Sequence, residues 1–94
     1  MIVIIEHYLT PEGKAYFPSW LKAAKKLLEP YKGFEKLEHI QLVKEPERTL
    51  ILLRFASAAE LMVWGKSDDH ADLLKLLEPY MIQKQYSQQF EVIG

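Results

Sequence analysis

Trp64, Ser67 and His70 stand at successive spacings of three, and only two other histidines occur in the chain, His7 and His39. An indole and an imidazole on one stretch of helix can together hold a flat aromatic molecule and take a proton from it. Trp64 shares a helix face with Leu61, three positions earlier, so both aim at whatever sheet that helix covers. There the indole either stacks on a flat ligand while donating one hydrogen bond or simply packs the core. His70 falls in the first turn of a helix that restarts at Ser67, where the helix dipole favours the neutral, proton-accepting imidazole. The alternative for His70 is a part in the helix cap at the surface. His7 lies near the end of the first strand in phase with Val3, Ile5 and Leu9. Its titration near neutrality suits a base removing a phenolic proton, and a lone histidine on an apolar strand also suits a satisfied core residue.

Arg54 interrupts the apolar run of the third strand. It is a candidate contact for an anion or substrate group, or else the partner of a glutamate such as Glu6 or Glu38. Three imidazoles suit zinc or non-heme iron, yet His7, His39 and His70 come from three different elements with no short ligand spacing between any pair. No metal centre is expected from them. The absence of cysteine removes disulfides, thiolate nucleophiles and zinc-thiolate sites together. Neither a glycine-rich phosphate loop nor a nucleophile triad is present.

The elements that must position these residues are written into a repeat. Lys-Leu-Leu-Glu-Pro-Tyr occurs at Lys26 to Tyr31 and again at Lys75 to Tyr80, 49 positions apart, and the same offset lays Ile2-Val3-Ile4 on Ile51-Leu52-Leu53. Each half therefore reads as an apolar strand, an amphipathic helix ending near Glu-Pro-Tyr, and a second strand. The whole is β-α-β-β-α-β, an α+β ferredoxin-like pattern with a four-stranded antiparallel sheet and two helices on one face. The first strand is expected over Ile2 to Leu9, with Thr10 as helix N-cap and Pro11 as first helical residue. Phe17, Leu21, Ala24, Leu28 and Tyr31 give the first helix its apolar face, flanked by Tyr16, Trp20 and Leu27. Pro18 either bends that helix or marks where its regular part begins. A second strand follows over Phe34 to Val43, then a charged turn over Lys44 to Arg48 and a third strand over Thr49 to Ala56. The second helix opens on the capping box Ser57-Ala-Ala-Glu60 and breaks at Gly65-Lys66; the last strand is Gln83 to Ile93.

Continuous apolar runs at Ile2 to Ile5 and Leu50 to Leu53 mark strands one and three as central. Two helices cover only one face of a four-stranded sheet. The other face is expected to meet the same face of a second copy, giving a homodimer whose sheets pack together as an α/β barrel. Ninety-four residues with 49% apolar and 27% charged content are expected to form one soluble domain, 1–94, and the apolar run at Ile2 to Ile5 is too short for a signal peptide or membrane span. A cytoplasmic protein is the expectation. A net charge of −1 argues against a nucleic-acid partner. The third strand also lacks the interleaved exposed aromatics of an RNA-recognition sheet.

Leu9-Thr-Pro-Glu-Gly13, Gly33-Phe34, and Phe55-Ala-Ser-Ala-Ala-Glu-Leu61 leading into Trp64-Gly-Lys-Ser-Asp-Asp-His70 resemble the antibiotic biosynthesis monooxygenase family of dimeric α+β barrels. The resemblance spans nearly the whole chain, and its most specific part is the Trp-x-x-Ser-x-x-His spacing. It implies a pocket between helices and sheet in each subunit and includes cofactor-free quinol and polyketide oxygenases and heme-degrading enzymes. His7 stands where this family commonly carries a pocket-facing asparagine. In the heme-degrading branch the axial histidine would follow the tryptophan by ten positions, and that position is Leu74. The expectation is therefore a monooxygenase with no cofactor, acting on a small aromatic phenol or quinol, with His7 or His70 as base and Trp64 and Arg54 as substrate contacts. The alternative is a ligand-binding or non-catalytic dimer of the same fold.

Overall fold

Thr10 ends the first strand because its side chain turns back to accept from the Gly13 amide at 3.2 Å, and Pro11 follows with φ already suited to a helix. In the computed structural model, which describes residues 1–94, this junction joins strand β1 (Ile2–Leu9) to helix α1 (Pro11–Leu28). Strands β2 (Phe34–Leu42) and β3 (Glu45–Phe55) form a hairpin, helices α2 (Ala58–Gly65) and α3 (Asp68–Leu77) follow, and β4 (Met81–Phe90) closes the chain after a single 3-10 turn at Glu78–Tyr80. The sheet is antiparallel in the order β2-β3-β1-β4, so the two strands with continuous apolar runs are the central pair.

Both copies of the repeated hexapeptide end a helix, at Leu28 and Leu77, and each tyrosine then packs against the other half of the chain. Tyr31 donates to Asp69 at 2.9 Å. Tyr80 meets α1 where a side chain on Gly13 would strike its Cβ at 2.6 Å, while its carbonyl accepts from the Thr10 amide at 2.8 Å. Both α2 and α3 are capped at their N-termini. Ser57 accepts from the Glu60 amide, and Ser67 accepts from the His70 amide at 3.1 Å while donating to the Trp64 carbonyl at 2.6 Å.

Several boundaries depart from the sequence expectation. The charged segment before Thr49 belongs to β3, which begins at Glu45, and the turn shrinks to Val43-Lys44 with Leu42 paired to Glu45. Glu45 joins the strand by pairing with Leu42 across the hairpin, and Arg48 Nη1 donates to Glu45 along the same strand at 3.1 Å. Strand β4 runs from Met81 to Phe90 rather than from Gln83 to Ile93. Helix α1 passes through Pro18 without a break. Pro18 is exposed, so the carbonyl of Lys14 that it leaves without an amide partner lies toward water.

The core lies between the helices and the inner sheet face, around Phe17, Phe55, Leu28 and Leu77, which are fully enclosed. The outer sheet face carries no helix. Ile2, Ile4, Leu50 and Leu52 sit there half-buried, extended on β4 by Tyr86 and Phe90, which are 55% and 45% exposed. Glu6 lies in the same face at 8% exposure and is held by Arg48 through two hydrogen bonds of 2.7 and 2.8 Å. Those bonds pull its carboxyl pKa below the usual range against the opposing effect of burial. No helix of the chain is long and apolar enough to cross a membrane.

Candidate active site

Between the helices and the inner sheet face lies a cavity of about 430 Å³. Its floor is Val3, Ile5 and His7 on β1 and Ile51 and Leu53 on β3; its roof is formed by α1, α2 and α3. The alternation of strand side chains accounts for the floor, since odd positions on β1 face the helices and even ones face outward. His7, Trp64 and His70 all line this space. No aspartate or glutamate does, and the one charged side chain on its wall is Lys66, at the exposed break between α2 and α3. An apolar cavity with a few polar groups is the usual form of a small-molecule site.

His7 is 4% exposed, with its ring centroid 5.5 Å from that of Phe17 and 5.4 Å from that of Trp20. Its Nε2 is buried without a hydrogen-bond partner. Loss of water from around the ring pushes its pKa down to about 4, so the imidazole is neutral throughout the physiological range. Such a ring is a weak base, and the side chains around it leave one of its nitrogens without a partner. The neighbouring Trp20 N–H is already used, donating to the Leu73 carbonyl at 2.8 Å.

His70 differs in kind. It is only partly buried, its pKa is lowered by desolvation, and a hydrogen bond with the Gly65 backbone acts in the opposite sense. It stays neutral at pH 7 yet keeps more basicity than His7. Its ring meets Trp64 edge-on at 5.5 Å, and Tyr31 also meets Trp64 edge-on, at 5.0 Å. The Ser67 cap therefore positions both side chains through the backbone that it bonds on either side.

Two expected participants lie elsewhere. Arg54 does not reach the cavity: it projects from the outer face of β3, where its Nε lies 2.8 Å from a Glu35 carboxylate oxygen. That contact is an ion pair by distance and is not aligned as a hydrogen bond. The partner is Glu35 rather than Glu6 or Glu38 because a register shift between Phe34 and Lys36 turns Glu35 toward Arg54. Glu6 is taken by Arg48, and Glu38 pairs with Lys36 at 3.1 Å. His39 packs edge-on to Phe17 at 5.1 Å and opens into a separate hollow beside the β2–β3 hairpin, so the three imidazoles do not converge. Leu74 lines the cavity and offers no ligand to heme iron at the position where one is expected; His70 lies one turn earlier.

Sequence reasoning missed part of the wall. Trp20 lines the cavity instead of flanking the helix face, and Gln85, Ser87 and Gln89 enter it from β4. The β4 signal was the alternation of Gln and Ser in the opposite phase to Tyr86 and Phe90, which points polar side chains inward.

No protein-family model matches the chain, and no curated protein matches it. Solved structures do. A provisionally named antibiotic biosynthesis monooxygenase from Caulobacter crescentus superposes with a TM-score of 0.83 at 18% identity, covering 99% of this chain and 89% of that one. Another so named, from Nitrosomonas europaea, gives 0.82 at 8% identity over 99% and 98% of the two chains. A second Nitrosomonas europaea protein, of unknown function, gives 0.79 at 14% identity over 99% and 88%. The likeness is one of fold: the chain has the ferredoxin-like architecture of these proteins.

Proposed function

We propose that this protein is a cofactor-independent monooxygenase acting on a small, flat phenol or hydroquinone held in the cavity between helices and sheet. The observation that carries the reading is the lining itself, which gathers an indole, a half-buried imidazole and a buried imidazole with an unpaired nitrogen around a mainly apolar space. Similarity of fold to proteins named as monooxygenases supports it.

In this mechanism the ring of the substrate stacks against Trp64. His7 Nε2 bonds to a ligand hydroxyl and orients it, while His70 takes the phenolic proton. The phenolate is electron-rich enough to pass one electron to dioxygen, and the resulting radical pair joins through a carbon–oxygen bond at a ring carbon that bears hydrogen, para to the phenolate in a phenol and ortho to it in a hydroquinone. The oxygen–oxygen bond then breaks as that carbon gives its proton to the departing oxygen. One oxygen remains as the new carbonyl and the other leaves as water, taking up the proton held by His70. A phenol with a free para position thus gives a para-quinone and water, with all four electrons supplied by the phenol. The apolar walls keep competing water away from the reacting pair.

The same reading makes the protein a homodimer. The outer face formed by Ile2, Ile4, Leu50, Leu52, Tyr86 and Phe90 is an apolar surface that a second copy of itself would cover. Oxygen-electrode assays of the purified protein against phenols and hydroquinones, with nothing else added, test the enzymatic reading. The expected result is saturable uptake that His70→Gln reduces. Tight binding of the same compounds with no uptake would replace it with a ligand-binding role.

A further inference from the structure

The inner face of the sheet changes character abruptly at its edge. On β1 and β3 the cavity floor is hydrocarbon apart from His7, whereas all three β4 residues lining the cavity, Gln85, Ser87 and Gln89, carry hydrogen-bonding groups. The pairing register explains how they come to face it: Gln89 lies opposite Val3 and Ser87 opposite Ile5, two floor residues. Gln85 is half-buried, while Ser87 and Gln89 are exposed, so this wall stands where the cavity opens to water. The result is a cavity with an aromatic and aliphatic interior and one polar side.

We propose that Gln85, Ser87 and Gln89 form the specificity wall of the site, reading the oxygen substituents that a planar aromatic ligand turns toward β4 in addition to the hydroxyl held by His7 and His70. Alternate residues on a strand are about 7 Å apart, so neighbouring members of the row reach oxygens on opposite sides of a ring or on adjacent fused rings. A carboxamide offers both an N–H donor and a carbonyl acceptor. It can therefore accept from a phenolic hydroxyl and, once turned, donate to a quinone carbonyl. The wall thus suits both the substrate and the product of the reaction proposed above, on which this inference rests for its ligand class. A site that hydrogen-bonds ligand hydroxyls also discriminates against analogues lacking them, because its own polar groups are then left unmatched.

Equilibrium dialysis under nitrogen separates this inference from the question of turnover. The probes are 1,4-naphthalenediol and 1,4-dimethylnaphthalene, which have similar shape but differ in their oxygens. The wild-type protein is expected to bind the diol at least about tenfold more tightly. In the double variant Gln85→Leu, Gln89→Leu that preference should fall by at least about threefold, the remainder being held by His7 and His70, with affinity for the dimethyl compound kept or increased. Retained binding of the dimethyl compound shows that the cavity of the variant is intact. An absent preference in the wild-type protein, a preference unchanged in the variant, or an equal loss of both ligands would each overturn the proposal. Failure of the monooxygenase reading looks different: the diol preference and its dependence on β4 would persist while oxygen uptake was absent.

Discussion

His7 and His70 illustrate how surroundings divide two chemically identical side chains. Their sequence positions pointed to imidazoles on the strand and helix that bound one space; which of the two kept its basicity depended on packing. Phe17 and Trp20 enclose His7, and neither is adjacent to it in sequence. His70→Gln is therefore expected to lower turnover of a phenol roughly a hundredfold, the usual worth of a general base, with little change in KM. His7→Gln is expected to raise KM more than it lowers kcat. Steady-state kinetics on the two variants distinguishes the roles, and a hundredfold loss of kcat confined to His7→Gln would reverse them. The pH profile follows from the same burial. His70 titrates below the ordinary 6.5, so kcat/KM should be flat above that pH and fall only on the acid side.

The pKa of His7 also makes a stability prediction. Folded, the ring titrates near 4; unfolded, near 6.5. Between these values the unfolded chain binds the extra proton, so stability is complete above pH 6.5 and is lost as pH falls toward 4. The gap corresponds to roughly 3 kcal/mol. Thermal melts at pH 7 and pH 4.5 should show a large fall in Tm for the wild-type protein and a smaller one for His7→Gln. Glu6, whose folded pKa is depressed by Arg48, acts at lower pH: its contribution is present above the ordinary 4.5 and is lost as pH drops through its folded value.

At the scale of elements, the caps and apolar runs were legible because they are local. Thr10, Ser57 and Ser67 cap the helices that their sequence neighbourhoods announce, and the runs at Ile2 and Leu50 lie on the central strands. What could not be read was set by pairing between strands. Glu45 to Arg48 have the composition of a turn, yet they extend β3, where Glu45 pairs with Leu42 across the hairpin and Arg48 reaches Glu6 on the adjacent strand. Arg54 stood in an apolar run, but its side of the sheet and the shift that gives it Glu35 are properties of register. The phase of the β4 glutamines against Tyr86 and Phe90 is legible in the sequence, but their forming a wall beside the cavity floor depends on the register that sets Gln89 and Ser87 opposite Val3 and Ile5. The α2–α3 junction gives a direct test of positioning. Ser67→Ala removes a cap worth about 1 kcal/mol and frees the backbone at both Trp64 and His70. A modest drop in Tm should accompany a larger proportional loss of turnover. Unchanged turnover would mean that the cap supports the helix without setting the site.

For the whole molecule, the repeated unit, the sheet order and one uncovered apolar face combine into the expectation of a dimer. Light scattering at micromolar concentration should give twice the 11.0 kDa monomer mass. Ile4→Glu, which places a charge in the centre of the outer face, should shift the protein to monomer; a wild-type monomer at that concentration would remove the proposed interface. The reaction is decided separately. Turnover of a phenol with a free para position under ¹⁸O₂, by purified protein with no added cofactor, should place one labelled oxygen atom in each quinone formed and raise its mass by two. Quinone formed without the label, or no product beyond that of protein-free buffer, would contradict the account.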